Sequence, residues 1–438
     1  MDCVESHGRL CANELKAMLQ SMRVAGGCRL EGEIRVSGAK NLALPALVAT
    51  ILTDKPVTLR NVPNLADVKS LLELLNCIGT EVSYNDEHTI TLSTRSIKSA
   101  TAPYDFVRKM RASILVLGAL IARHKQATVS LPGGCAIGAR GVDLHIKALE
   151  MMGAEIAIEN GYIEAKAPNG LIGCDIAFPM TTVTGTENIL MAATLAKGTT
   201  RLINAAMEPE VEAFCELLNK MGARISGAGT SVITIEGVDE LHGTEFEIIP
   251  DRIEAGTYAI AAAVTNGKIL LKDCRYEHLT SFFETLNSVG VACEKVDNGV
   301  LVYRKSDEIQ PISIQTAPYP GFPTDLQAQY TVLMSICSGS ASITENIFEN
   351  RFMHVPELAR MGANISVQGK TALVTGVEKL KGAQVMATDL RASVSLVIAG
   401  LVAEGETIVN RLYHLDRGYE NLEEKLNGCG AHVERFEV

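Results

Sequence analysis

Leu131 to Arg140 reads LPGGCAIGAR and sets Cys135 among three glycines. A β-type run, Ala127 to Leu131, breaks at Pro132. Gly133, Gly134 and Gly138 then admit backbone conformations closed to other residues, which suits an exposed, mobile loop. Arg140 follows the thiol by five residues. A nearby guanidinium favours the thiolate and draws an anionic ligand, so these types allow proton or nucleophile chemistry on a small anion.

Other segments also look unlike core. Lys40, in SGAKN (37–41), precedes the apolar run ALPALVATIL. It reads either as an anion contact at a helix start or as a solvated lysine beside a turn glycine. MRASILVLG (110–118) and LRASVSLVIAG (390–400) put Arg111 and Arg391 at the heads of apolar helices. Each reads as an anion contact or as half of a structural ion pair, with Asp389 the obvious partner of Arg391. In TAPYPGFPTDLQAQYT (316–331), Asp325 reads as a carboxylate base at a helix start or as that helix's N-cap. ENIFENRFMHVPEL adds Arg351 and YHLDRGYENL adds Arg417, while His145 and His354 read as packing histidines. No GxGxxG, P-loop, Ser-His-Asp order, HExxH or metal spacing stands out, so neither metal nor cofactor is expected.

The elements that must position these groups form a sixfold repeat. LNCIGTEV, LEMMGAEI, LNKMGARI, LNSVGVAC, LARMGANI and LNGCGAHV carry glycines at 79, 153, 222, 290, 362 and 430, spaced 68 to 74 residues apart. Each glycine suits the left-handed end of an amphipathic helix, after which a strand begins. A matching strand lies upstream of each: PVTLRN, ATVSLPG, TTRLIN, KILLKD, SASITE and ETIVNR. Units this large favour two compact α/β domains of three repeats over an open array. The boundary falls near IIPDRIEAGTYAIAAAV (248–264), and the early strand at Cys28 to Val36 lets the N-terminal segment cross into the second domain. Two such globules joined by two strands would leave an interdomain cleft, a favoured ligand site.

Composition narrows the function classes. With 438 residues, 47% hydrophobic and 21% charged, the chain has ample core. A net charge of −11 and the absence of Trp argue against a nucleic-acid partner or an anionic membrane surface. The longest apolar runs, Ile114 to Ala122 and Val394 to Ala403, are about half the ~20 residues a bilayer requires. Eleven scattered cysteines without CxxC read as reduced thiols, and no signal-peptide pattern opens the chain, so a cytoplasmic protein is expected. Residues 1–22 read as an N-terminal extension outside the repeat pattern.

SGAKN with ALP, APYDFVRKMRAS, LPGGCAIGAR with VDLHI, PDRIE, FPTDLQAQ, ENRFMHVPELARMGA, GAQVMATDLRAS and YHLDRGYE together closely resemble the UDP-N-acetylglucosamine 1-carboxyvinyltransferase family of enolpyruvyl transferases, over residues 23 to 438. The resemblance implies two inside-out α/β domains, each of three βαβαββ-type units, here 40–249 and 23–39 with 250–438. It implies transfer of the enolpyruvyl group of phosphoenolpyruvate to the 3′-hydroxyl of UDP-N-acetylglucosamine with release of phosphate, the first step of peptidoglycan synthesis. Carried over by position, Cys135 is the general acid and adduct site, and Asp325 the base. Lys40, Asn41, Arg140, Arg351, Arg391 and Arg417 bind phosphoenolpyruvate. Asn41, Arg111, Arg140, Gly141, Val142, Asp143, Leu144, Thr182, Val183, Asp325 and Ile347 contact the nucleotide sugar. Fosfomycin, which alkylates the family's loop thiol, is the implied inhibitor. Gly141 stands where many members have proline, and FPMTTVTGTEN (178–188) lacks a lysine some members carry, which leaves the contacts around Thr182 and Val183 open. A shikimate-type enolpyruvyl transferase shares the architecture but typically carries a PGSKS-like segment and does not rely on the loop cysteine. A silent paralogue that only binds is disfavoured by the presence of thiol, aspartate and arginines together.

Overall fold

The computed structural model describes residues 20–108, 110–132 and 141–437, so Cys135 and Arg140 lie outside the described residues. The six repeats fold into six four-stranded sheets of one pattern. In the second repeat, Thr101–Ala102 runs parallel to Gln126–Ser130, which pairs antiparallel with Tyr162–Lys166, itself antiparallel to Glu155–Glu159. Along Gln126–Ser130, Ala127 and Val129 are buried while Gln126 is exposed, the period-two alternation of a sheet with one covered face.

The amphipathic helices end as the glycine spacing predicts. Gly79, Gly153, Gly222, Gly290, Gly362 and Gly430 all take positive φ, from 87° to 122°, where a side chain is strained. In two of the repeats an asparagine adds a clamp to the next strand. Asn219 bonds both the N–H and the carbonyl of Ile225 at 2.8 and 2.9 Å, and Asn427 does the same to Val433 at 2.8 Å.

The described residues divide into two compact units, one of 20–36 together with 250–437, the other of those from Ser37 to Ile249. Each contains three of the sheets. In the unit Ser37–Ile249, the late strand Glu245–Glu247 lies parallel to Val57–Arg60 and completes the first repeat's sheet. In the other unit two N-terminal strands do this work. Glu31–Arg35 lies parallel to Lys268–Lys272, and Gln20–Ala25 is inserted between Glu406–Asn410 and His432–Glu437. The sheet pattern thus closes with strands borrowed from distant parts of the chain.

Inside each unit, apolar helices pack on one another beneath the sheets: Lys40–Ala49, Val116–His124 and Val183–Thr194 in one, Arg252–Val264, Gln327–Met334 and Leu390–Val402 in the other. Every residue from Ile253 to Val264 is buried, which is how a helix apolar on all sides behaves. Helices inside and sheets outside is the inside-out α/β arrangement implied by the resemblance.

Two boundaries differ from the sequence reading. The first strand begins at Gln20, so Gln20–Met22 belong to the fold and not to an extension, because Met22 is fully buried between two partner strands. Ser37–Ala39 belong with Lys40 in the unit Ser37–Ile249. The Ala39 N–H donates to Ile249 O at 2.7 Å, and a Cβ on Gly38 would meet Asn61 O at 1.8 Å, so only glycine allows that approach. Among the described residues no helix is long and apolar enough to cross a membrane, and no His/Cys/Asp/Glu group is placed to hold a metal.

Candidate active site

Asp325 stands in the 3₁₀ turn Thr324–Leu326, set by Pro323 ahead of the helix Gln327–Met334. It does not cap that helix, which has no side-chain cap. Both carboxylate oxygens go to guanidinium groups instead. Arg351 Nη2 donates to Oδ1 at 2.6 Å, and Arg391 Nε and Nη2 donate to Oδ2 at 3.2 Å each. Charge-assisted bonds outcompete capping: each contributes about 1.5–3 kcal/mol against about 1 for a cap. Burial alone would raise the Asp325 pKa, but Arg351 and Arg391 outweigh it and hold the carboxyl well below the usual range.

Arg391 does not pair with Asp389. The Asp389 carboxylate caps Leu390–Val402, accepting from the Arg391 and Ala392 N–H groups at 2.8 and 3.0 Å. That leaves the Arg391 side chain, buried on the inner helix, to reach across to Asp325 and to Tyr419 Oη at 3.2 Å. Arg351 is steadied by a second chain. Its Nη1 donates to Thr324 Oγ1 at 2.8 Å, and that hydroxyl donates to Glu345 Oε2 at 2.8 Å. Buried Glu345 also accepts from Thr316 Oγ1 and from the N–H groups of Ile347 and Phe348, at 2.8 to 3.1 Å. Asp325, Arg351, Arg391 and Ile347 are therefore parts of one hydrogen-bonded assembly, and Arg417 ends the turn Leu412–Arg417 two residues before Tyr419.

In the other unit Lys40 is not solvated. Its Nζ lies 2.6 Å from Asp67 Oδ2, with the two side chains 8% and 5% exposed. Asn41 follows it, half-buried. Arg111 begins a 3₁₀ turn, Arg111–Leu115, ahead of Val116–His124, and its Nη2 donates to Gly141 O at 3.0 Å. Val142 is buried and Leu144 packs against the core, while Asp143 is exposed beside Lys147 at 3.8 Å. Thr182 caps Val183–Thr194 by accepting from Gly185 N–H at 3.2 Å, and Val183 is half-buried.

Both histidines are packing residues. His145 is buried, and its Nδ1 accepts from Asn188 Nδ2 at 2.8 Å. Buried His354 has its pKa pulled down to about 4, mainly by desolvation. Sequence reading missed Asp67, Glu345 and Tyr419. Tyr419 had a signal, two residues past Arg417 in YHLDRGYE. Glu345 opens the segment that supplied Arg351, and Asp67 looks like any acidic residue in a helix's first turn.

A fold of repeated sheets around buried helices, with a carboxylate gripped by two arginines, is that of an enolpyruvyl transferase. The EPSP synthase (3-phosphoshikimate 1-carboxyvinyltransferase) family matches residues 24–426, and the chain belongs to it. More particularly, it is 57% identical over 427 residues to the UDP-N-acetylglucosamine 1-carboxyvinyltransferases of Brucella ovis and Brucella abortus, covering 95% of this chain and 100% of theirs. Among solved structures, the enolpyruvyl transferase NikO from Streptomyces tendae superposes with a TM-score of 0.86 at 25% identity, over 96% of this chain and 99% of that one. An EPSP synthase from Acinetobacter baumannii, at 17% identity, shares the fold with a TM-score of 0.74, over 95% of this chain and 100% of its own.

Proposed function

We propose that this chain transfers the enolpyruvyl group of phosphoenolpyruvate to the 3′-hydroxyl of UDP-N-acetylglucosamine, releasing phosphate, in the first step of peptidoglycan synthesis in the cytoplasm. The observation that carries the reading is the near-full-length identity with enzymes of that name. The guanidinium clamp on Asp325 supports it.

The chemistry needs an acid and a base. In the addition step, Cys135 gives a proton to the methylene carbon of phosphoenolpyruvate and the sugar hydroxyl oxygen bonds to the adjacent carbon. Asp325 takes the hydroxyl proton. In the elimination step the Cys135 thiolate takes a proton back from the methyl carbon, the double bond re-forms and the carbon–oxygen bond to phosphate breaks, releasing phosphate. Arg140, Arg351, Arg391 and Arg417, with Lys40 and Asn41, hold the phosphate and carboxylate and disperse charge. Asn41, Arg111, Gly141 to Leu144, Thr182, Val183 and Ile347 take the nucleotide sugar. Asp325 becomes a competent base when an incoming anion draws a guanidinium away from one oxygen, which relieves the attraction that keeps it ionised.

The test is phosphate release from phosphoenolpyruvate with each acceptor. Release with UDP-N-acetylglucosamine and none with shikimate 3-phosphate is expected. Release only with the shikimate compound, or with neither, overturns the reading.

A further inference from the structure

Tyr419 lies at the end of a hydrogen-bond chain whose direction is set by valence. The Thr257 hydroxyl has one proton and spends it on Ile253 O, at 2.8 Å. Thr257 Oγ1 therefore accepts from Tyr419 Oη, 2.9 Å away, as it does from Gln329 Nε2 at 3.0 Å. With its proton directed at Thr257, the Tyr419 oxygen turns its lone pairs to Gln329 Nε2 at 3.3 Å and Arg391 Nη1 at 3.2 Å. All three supporting side chains are buried: Tyr419 is 4% exposed, Thr257 1% and Gln329 0%. The Arg391 guanidinium carbon also lies 5.5 Å from the Tyr419 ring centroid.

We infer that Tyr419, oriented by Thr257 and Gln329, is a positioning residue that fixes the Arg391 guanidinium against Asp325. It acts through Arg391. Nη1 is taken by Tyr419, so Nε and Nη2 are the edge presented to Oδ2. Without the phenol oxygen a buried guanidinium N–H loses its acceptor, and the fork is free to rotate off the carboxylate. Among the described residues, Arg351, Arg252 and Asp251 also act electrostatically on this pair.

The inference rests on the proposed catalytic role of Asp325 and Arg391, and a double-mutant cycle on the full chain separates the two. Tyr419→Phe keeps the ring and should lower kcat by about tenfold, the scale of one hydrogen bond to a charged group. In an Arg391→Lys background the same substitution should cost less than twofold, because the Nη1 donor is already gone. Equal costs in both backgrounds overturn the positioning role and leave the site reading standing. An Arg391→Lys variant with full turnover overturns the site reading itself, and the positioning role with it. If Tyr419→Phe does not fold, Thr257→Val against Thr257→Ser decides. The serine keeps the hydroxyl and should retain turnover, whereas valine should lose it severalfold; equal turnover in the two overturns the inference.

Discussion

Arg351 and Arg391 divide the Asp325 carboxylate between them, one guanidinium on each oxygen, at 2.6 and 3.2 Å. The arrangement keeps the carboxylate charged and pointed, since both guanidinium groups oppose its protonation. Charge, orientation and restraint come from the same three side chains.

Replacing Asp325 with Asn should cut turnover by at least about a hundredfold, the lower scale for loss of a general base. Its effect on stability carries a sign. The folded-state pKa is depressed, so the carboxylate stabilises the protein above the unfolded value of about 3.9, and this contribution is lost as pH falls below that toward the folded value. Denaturant unfolding from pH 7 to 3 should show wild type more stable than Asp325→Asn at neutral pH, with the gap narrowing below about pH 4.

Lys40 and Asp67 form a buried pair, so removing either charge takes a close, oppositely charged neighbour from the other. Asp67→Ala should destabilise by about 3–5 kcal/mol, while Lys40→Met with Asp67→Leu should recover most of that loss without restoring turnover. Urea midpoints read the first effect and phosphate release the second. Two equally unstable variants would place the pair's contribution in packing, not charge.

Cys135→Asp should retain turnover and resist fosfomycin, because a carboxylic acid can donate the proton but is not alkylated as a thiol is. Mass spectrometry of the peptide containing residue 135 after fosfomycin should show the adduct in wild type only. Loss of turnover in the variant would mean that the thiol does more than transfer a proton.

His278 and His354 both have pKa values lowered to about 4, chiefly by burial. Unfolding releases them to charge near 6.5, so each favours the folded state above that value and loses this contribution between about 6.5 and 4. For fully buried His354 the span is on the order of 3 kcal/mol. A His278→Gln, His354→Gln double variant should show a flatter decline of stability over that interval than wild type.

The periodic features of this fold were written locally. The LxxxG motif encodes helix and left-handed turn within about ten residues, with an asparagine clamp added at Asn219 and Asn427, because each depends on backbone geometry that neighbours set. Six copies of the LxxxG motif were enough to show six strand–helix–strand units in two α/β domains, while the placing of helices inside the sheets was implied only by the family resemblance. Residue types in odd places, Arg391 heading an apolar helix or Asp325 after a run of prolines, were legible as exceptions to that pattern.

Their partners were not. Asp325 meets residues 26 and 66 positions away, and Arg391 meets Tyr419 28 positions on, while Asp389, two residues before Arg391 and of the right charge, caps a helix instead. The strands Gln20–Ala25 and Glu31–Arg35 likewise complete sheets with segments hundreds of residues away. Sequence determined the elements, their glycine ends and the chemistry on offer, because those depend on side-chain type and short-range sterics. Only the tertiary structure decided which charge met which, since a buried ion takes whichever partner packing brings within hydrogen-bond reach.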